Sequence, residues 1–149
     1  MPTAREEHAA PLHTAWFDFR KVTLSAQECE RLEQLVLRID PQQILVLVGF
    51  TDDIGPQAYN DRLAKQRADA CAQLLIEQGI DPRCIRTIGR GRECYLGDNA
   101  TKAGRGQNRR VEVHYQQSAL RIHRAPTEKP AGQRPLHRVA LLGAWPVTA

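Results

Sequence analysis

The sequence lacks the long apolar segments that would carry a chain into or across a membrane. No run approaches the roughly 18 apolar residues that a membrane-spanning helix requires. Residues 1–13 contain no apolar stretch of the kind found in a signal peptide. Two interpretations stay open: a cytoplasmic protein, or a domain cut from a longer protein whose targeting segment lies elsewhere.

Residues 1–115 also lack net charge. They hold 16 Lys and Arg against 16 Asp and Glu, whereas residues 116–149 hold five basic residues and one acid, so the formal charge of +4 lies in the C-terminal segment. Nucleic-acid-binding domains present a basic patch. The charge balance therefore excludes a basic nucleic-acid platform in residues 1–115.

The four cysteines form no C-x-x-C pair, which argues against a structural zinc site. The spacing of Cys84 and Cys94 permits a local disulfide in an oxidising compartment. Cys29 and Cys71 fall on apolar helix faces, where we expect buried free thiols.

No catalytic or cofactor pattern is present. The acid pair Asp52–Asp53 has no Ser, Cys or His pattern nearby that would supply a nucleophile or a base. Gly89-Arg90-Gly91 matches a fragment of a dinucleotide fingerprint but precedes a loop rather than a helix. We therefore expect no catalytic residue, no metal and no cofactor.

The first half of the chain predicts a strand and a capped helix. Trp16–Phe19 reads as a short strand with Phe17 and Phe19 on one face. Ser25 and Glu28 have the spacing of a capping box and open a helix that Asp40–Pro41 ends.

The remainder predicts three further strands. Ile44–Val48 is continuously apolar, as in a strand covered on both faces, and a helix follows from Pro56 to about Gln78. A third strand spans 84–89, residues 90–108 form a long loop, and a last strand with one buried face includes 111–115.

This β-α-β-α-β-β order predicts an α/β fold, a mixed sheet with helices packed against it as an α+β sandwich. We divide the chain into a flexible N-terminus (1–13), one folded domain (14–115) and a disordered, basic, proline-containing tail (116–149).

The candidate site is the loop Gly49–Gly55, which joins the apolar strand to the next helix. Such a position brings a ligand to the end of a buried strand. Arg67 shares an apolar helix face with Leu63 and Cys71, and an arginine there requires an anionic partner. Two partners fit: Asp52 or Asp53 within the chain, or the carboxylate of a ligand held by the guanidinium fork.

Residues 108–110, Asn-Arg-Arg, precede the last strand. They fit either a solvated edge or a second cationic wall of the same pocket.

The motif that starts at the loop resembles the OmpA C-terminal-like, peptidoglycan-binding domains. The resemblance covers roughly residues 14–115 and rests on ordered positions: Phe17-Asp18-Phe19, Gly49-x-Thr51-Asp52-x-x-Gly55, Tyr59-Asn60, Leu63, Arg67-Ala68, Gly79-Ile80, Gly89-x-Gly91, Asn99-x-Thr101, Gly104-Arg105 and Asn108-Arg109-Arg110-Val111-Glu112. Phe50 stands where histidine or another aromatic is common, and Ala64 where serine is common.

The resemblance implies non-catalytic binding of diaminopimelate in the peptidoglycan stem peptide. Asp52 would take the ligand's ammonium and Arg67 its carboxylate. Asn60 and the loop at Thr51 would assist, and Arg110 would lie near the same pocket.

The same resemblance implies an envelope protein at the periplasmic side, associated with the outer membrane. It would anchor an envelope or secretion assembly to peptidoglycan, without a nucleic-acid partner, and would reach the membrane only through a segment absent from this sequence. Two alternatives remain: a nucleic-acid-binding protein that uses the basic tail, and an enzyme on cell-wall peptides with Asp52 or Asp53 as base.

Overall fold

The computed structural model describes residues 10–117, in which one four-stranded mixed sheet is accompanied by three helices. The strands are β1 (His13–Trp16), β2 (Leu45–Phe50), β3 (Ile85–Gly91) and β4 (Arg110–Tyr115), and the helices are α1 (Ala26–Val36), α2 (Gln57–Glu77) and α3 (Lys102–Asn108). The sheet order is β1-β4-β2-β3, with β2 and β3 parallel and β4 antiparallel to both of its neighbours. The predicted α/β architecture with a mixed sheet is confirmed.

The two longer helices pack on one face of the sheet and form the main core with it. This cluster includes Leu32, Leu35, Ala68, Cys71, Ala72 and Leu75 from the helices, and Ala15, Leu45, Leu47, Val111 and Val113 from the strands. Ser25 caps α1, because its Oγ accepts from the Glu28 N–H at 3.1 Å. The Glu28 carboxylate accepts from the Trp16 N–H at 3.4 Å and so ties α1 to β1.

Two glycines let α2 lie unusually close to the sheet. A Cβ on Gly49 would collide with the Ala64 carbonyl oxygen, and a Cβ on Gly89 would lie 2.7 Å from the Lys65 nitrogen. Any larger residue would push the helix away. The close contact fixes the height of Arg67, one turn further along α2, relative to the end of β2.

The other face of the sheet is buried as well. Val46, Val48 and Phe50 of β2 form a second apolar cluster there. Glu112 and His114 of β4 point to this face and are 2% and 0% exposed. The predicted single buried face of the last strand is therefore wrong, because the face that carries Glu112 and His114 is buried too. The two side chains contact each other there, His114 Nε2 to Glu112 Oε1 at 2.9 Å.

The first strand lies earlier than predicted. β1 ends at Trp16, and Phe17 and Phe19 do not share a strand face, since Phe17 is 4% and Phe19 45% exposed. The carbonyl of Phe17 accepts from Arg109, and that of Asp18 accepts from Arg67. The Phe17 N–H still donates to the Arg109 backbone carbonyl at 3.0 Å, but the two carbonyls accept from side chains, so the strand does not continue.

Residues 90–108 are not one loop. β3 continues to Gly91, and α3 begins after Thr101, whose Oγ1 accepts from the Gly104 N–H at 2.9 Å. Gly104 is a glycine because a Cβ there would collide with the Asp98 carbonyl. The composition of residues 90–108 predicted a loop. In the structure, Gly104 instead allows close packing within a capped helix.

The predicted disulfide between Cys84 and Cys94 is wrong, and all four cysteines are free. Cys84 precedes β3 and Cys94 follows it, and β3 runs through seven residues without turning back. At about 3.3 Å per residue, a strand of this length separates its ends by roughly 23 Å. A disulfide requires Cα atoms within about 7 Å.

Residues 1–9 and 118–149 are not among those described, so most of the predicted flexible N-terminus and basic tail lies outside them. The helices within 10–117 include none that is both long and apolar enough to span a bilayer.

We expect Gly49→Ala to destabilise the domain by about 1–3 kcal/mol, because the new methyl group forces α2 away from β2. Gly106→Ala is the matched control. Gly106 lies within α3, and a Cβ there would meet its nearest atom at 3.5 Å, so the change should be neutral or stabilise by up to about 1 kcal/mol. Urea unfolding of both variants measures the difference. Equal stability would contradict the close-contact role of Gly49.

The native thiols should differ in reactivity. Cys71 is fully buried and Cys94 is half-buried, and burial raises the pKa of both thiols. We expect a thiol reagent at pH 8 to modify Cys71 only after unfolding, and Cys94 more slowly than Cys84. Under mild oxidation, mass mapping should find no peptide that links Cys84 to Cys94.

Candidate functional site

The loop after β2 turns one carboxylate inward. The Thr51 N–H donates to the Gly91 carbonyl at 2.8 Å, and its Oγ1 donates to the Asp52 carbonyl at 2.8 Å. Asp52 Oδ1 accepts from the Ile54 N–H at 3.1 Å, a local turn that aspartate favours. Its side chain is 4% exposed, whereas Asp53 points to solvent. The structure thus distinguishes the two neighbouring acids: Asp52 is buried in the protein and Asp53 is exposed to solvent.

Asn60 fixes the far end of this loop. Its Nδ2 donates to the Ile54 carbonyl at 2.9 Å and to the Gly55 carbonyl at 3.4 Å. Gly55 has a φ of +99°, a conformation that side chains strongly disfavour. Asn60 is 1% exposed, so its described role is to hold the loop that presents Asp52.

Arg67 is completely buried and is held by three backbone carbonyls. Nε donates to Lys21 at 2.9 Å and Nη2 to Asp18 at 3.0 Å. Nη1 donates to Phe50 at the end of β2 at 3.4 Å, and the guanidinium carbon lies 5.3 Å from the centre of the Phe17 ring. No carboxylate among the described residues forms an ion pair with Arg67. Of the two partners that the sequence left open, the internal pair with Asp52 or Asp53 is therefore absent among the described residues.

Burial, together with the smaller effect of the positive charge of Arg109, lowers the pKa of Arg67 to about 10, and the negative charge of Asp52 opposes the shift. Arg67 therefore remains a cation at neutral pH. Its positive charge is desolvated, and within residues 10–117 it is compensated by neutral carbonyl dipoles, the Phe17 ring and the more distant Asp52. A site of this kind attracts an anion.

Asp52 pairs with Arg109 instead. Arg109 Nη1 lies 3.4 Å from Asp52 Oδ2, and its Nε donates to the Phe17 carbonyl at 3.0 Å. The cleft thus holds two buried or nearly buried guanidiniums and one buried carboxylate. Their sum is one excess positive charge.

These groups line a narrow cleft. Its wall residues include Phe19, Ile54, Tyr59 and Leu63, together with the buried or nearly buried charges of Asp52, Arg67 and Arg109 and the exposed Arg20. The free volume is about 10 Å³, enough for about one water molecule. Phe19 and Ile54 are 45% and 39% exposed, so they lie at the mouth of the cleft and can move outward without breaking the core.

Arg110 does not lie in this cleft. Its Nε donates to Glu112 Oε2 at 2.7 Å, its Nη2 donates to the Cys94 carbonyl at 2.9 Å, and its guanidinium carbon lies 3.9 Å from the Phe50 ring centre. All of these contacts are on the sheet face opposite the helices. The expectation that Arg110 lies near the same pocket is corrected: Arg109 occupies that place.

The arrangement can bind a zwitterion through opposite poles, an anionic group at Arg67 and a cationic group at Asp52. No group of three or more His, Cys, Asp or Glu in residues 10–117 is placed to hold a metal ion.

The family model described as "OmpA family" matches residues 16–109. The chain belongs to the OmpA family. Every residue of the cleft named above lies within the matched range, whereas Arg110 lies one position beyond it.

Three similar proteins illustrate the relationship. Outer membrane protein A of Bordetella avium is 39% identical over 66% of this chain and 52% of its own length. Peptidoglycan-binding protein ArfA of Mycobacterium bovis is 36% identical over 52% of this chain and 24% of its own length. The peptidoglycan-associated lipoprotein of Burkholderia pseudomallei has a crystal structure that superposes with a TM-score of 0.65, at 28% identity over 69% of this chain and 89% of that chain.

The chain spans about half or less of the length of the two relatives compared by sequence. What it shares with them is therefore this OmpA-family domain, not the whole of either protein.

The sequence did not identify the apolar mouth of the cleft or the pairing of Asp52. Phe19 was assigned to a strand, Ile54 carried no signal, and Tyr59 was noted only as a position of the family motif. Arg109 did carry a signal in the sequence, because it belongs to the Arg109-Arg110 pair before the last strand. It precedes β4, so its side chain is free of the strand alternation that sends Arg110 to the other face.

We expect Arg109→Gln to destabilise the domain by about 2–4 kcal/mol, because it leaves the buried Asp52 carboxylate without its cationic partner. Arg83→Gln is the control, since it breaks the exposed ion pair with Asp81, 2.9 Å long, and should not change the thermal midpoint measurably. Differential scanning calorimetry compares the two. Equal effects would show that the Asp52–Arg109 contact contributes nothing as a buried pair.

Proposed function

We propose that this domain binds peptidoglycan through the diaminopimelate of the stem peptide. Diaminopimelate has a free end that carries an ammonium and a carboxylate on one carbon. The carboxylate would contact Arg67, and the ammonium would contact Asp52. Thr51 and Asn60 would act through the loop that positions Asp52.

The excess positive charge of the cleft is the observation that carries this proposal. Arg67 and Arg109 repel each other, and this repulsion contributes to the lowered pKa of Arg67. A ligand carboxylate near both guanidiniums would relieve the repulsion. A guanidinium fork binds a carboxylate through two parallel hydrogen bonds, which a lysine cannot do.

The apolar mouth supports a ligand with a hydrocarbon stem. Phe19, Ile54 and Leu63 line the cleft beside the charged groups. The methylene chain of diaminopimelate could lie against them while its zwitterionic end reaches the charges. Because the free volume is so small, binding requires the side chains at the mouth to move outward.

We further propose that binding occurs without chemistry and tethers an envelope assembly to the cell wall. The family and the names of the peptidoglycan-binding and peptidoglycan-associated relatives support this role. The outer-membrane relative supports an envelope location at the periplasmic side. The alternative of an enzyme predicts turnover of muropeptides, which mass spectrometry would detect. The alternative of a nucleic-acid-binding protein relies on the basic tail, and nearly all of that tail lies beyond the described residues.

The charged poles can be tested with two stem peptides, one containing diaminopimelate and one containing lysine, which lacks the distal carboxylate. Loss of one partner of a desolvated charge pair costs about 2–5 kcal/mol. We therefore expect Asp52→Asn and Arg67→Lys each to weaken binding of the diaminopimelate peptide by about 30-fold or more in calorimetric titration. The effect of Arg67→Lys should vanish with the lysine peptide, which has no carboxylate for that pole.

Matched controls are Asp53→Asn and Arg62→Lys, which change exposed neighbours on the same loop and helix. Both should bind as the unmodified domain does. Arg67→Lys also breaks carbonyl contacts, so thermal melts must accompany the titrations. Near-normal affinity in folded Asp52→Asn and Arg67→Lys would show that the two residues have a structural role alone, and the site would have to be rejected.

A further inference from the structure

The two central strands of the sheet are buried on the face that points away from α1 and α2. We call it the second face; on β2 it is formed by Val46, Val48 and Phe50. Val46 and Phe50, at its two ends, are both 0% exposed. His114, the register partner of Val46 on β4, is 0% exposed as well. Both ends of this face are therefore shielded from solvent.

Within residues 10–117, a cover is found at one end of the second face. Cys94 packs against the apolar cluster there, and its carbonyl accepts from Nη2 of Arg110 at 2.9 Å, beside the Phe50 ring. Val46 lies four positions from Phe50 along β2, which is roughly 13 Å in a strand. Cys94 therefore shields the Phe50 end and does not reach the Val46 end.

No helix covers the Val46 end in the part of the chain that the structure describes. α1 and α2 pack on the other face, and α3 contributes no apolar side chain to the cluster around Val46. Tyr95 and Leu96, the large side chains that follow Cys94, are 40% and 57% exposed. They are therefore not folded over the central strands.

Neighbouring side chains of the sheet do not shield this end either. Arg86 of β3 is the register partner of Val46, but its Nη1 donates to backbone carbonyls near the start of its own strand. Leu12, just before β1, packs against the main core. The burial of Val46 is complete within one chain, so a second copy is not needed to explain it.

The C-terminal segment, residues 118–149, leaves the sheet beside the end that needs a cover. The Gln116 N–H donates to the Ile44 carbonyl at 2.8 Å, two residues before Val46. β2 has six residues and is roughly 20 Å long, so a short part of the segment can cross the whole face.

The apolar side chains of this segment, rather than its basic ones, match the second face. Residues 139–145 read Val-Ala-Leu-Leu-Gly-Ala-Trp, whereas residues 1–9 have Met1 as their only large apolar side chain. Arg86 already places a positive charge beside Val46, so further cations would be repelled there. Apolar groups laid over Val46 would instead remove hydrocarbon surface from water.

We propose that residues 118–149 cover the second face, with the apolar stretch 139–145 packed over Val46. This replaces the prediction that all of residues 116–149 are disordered. The second face lies on the opposite side of the sheet from α2 and Arg67. The cover is therefore independent of ligand binding at the candidate site, and its failure would leave the proposed function untouched.

The test uses the full chain with Arg86 replaced by the photo-reactive benzoylphenylalanine, because position 86 lies beside Val46 on the second face. After irradiation and digestion with trypsin, we expect a cross-link between position 86 and the peptide 139–149 of the same chain. The same replacement at Leu37 is the matched control. Leu37 is 80% exposed at the end of α1, on the other side of the sheet, and should give no such cross-link.

Thiol labelling of Val46→Cys gives a second measurement. We expect the thiol at position 46 to react about tenfold faster or more in a chain that ends at residue 117 than in the full chain, a loss of protection of about 1.4 kcal/mol or more. Native Cys71, buried on the helix side, should stay unreactive in both chains and so reports that the shorter chain is folded.

If the shorter chain unfolds, the cross-link alone decides. Absence of the cross-link from position 86 to the peptide 139–149, or cross-linking between two copies in its place, would overturn the proposal. Equally slow labelling of position 46 in the two folded chains would overturn it as well.

Discussion

Three backbone carbonyls hold the buried guanidinium of Arg67, and the candidate site depends on this contact. The carbonyls of Asp18 and Lys21 belong to the segment after β1, whereas that of Phe50 ends β2. One side chain therefore joins α2, the sheet and the segment that carries Phe19. Because carbonyls are neutral, the contact fixes the guanidinium in place and leaves its charge to attract an anion.

The position of Arg67 follows from the close approach of α2 to the sheet. Gly49 and Gly89 remove the side chains that would separate the helix from β2 and β3. The same helix carries Asn60 near its start, where the side-chain amide holds the loop at Ile54 and Gly55. Asp52 and Arg67 thus face one cleft because a single helix contacts both the loop and the strand end.

β4 separates two sets of charges. Arg109 precedes the strand and reaches Asp52, whereas Arg110 begins the strand and pairs with Glu112 on the opposite face. Arg110 is 0% exposed, stacks on the Phe50 ring, and is compensated by a carboxylate at 2.7 Å. The two adjacent arginines therefore have different partners. Arg109 pairs with Asp52 in the cleft, whereas the charge of Arg110 is neutralised by Glu112 on the opposite face of the sheet.

The sequence by itself determined the order of the main elements, the buried central strand and the Ser25 cap, and it singled out Asp52 and Arg67 as candidate ligand contacts. These follow from hydrophobic periodicity, capping and motif spacing, which are local properties of the chain. Tertiary structure alone decided that Asp52 pairs with Arg109, that Arg110 faces away, and that residues 102–108 form a helix around Gly104. It also extended β3 straight between Cys84 and Cys94, so that they cannot form a disulfide. Each of these depends on which backbone or side chain arrives from a distant part of the sequence, and local patterns carry no information about that partner.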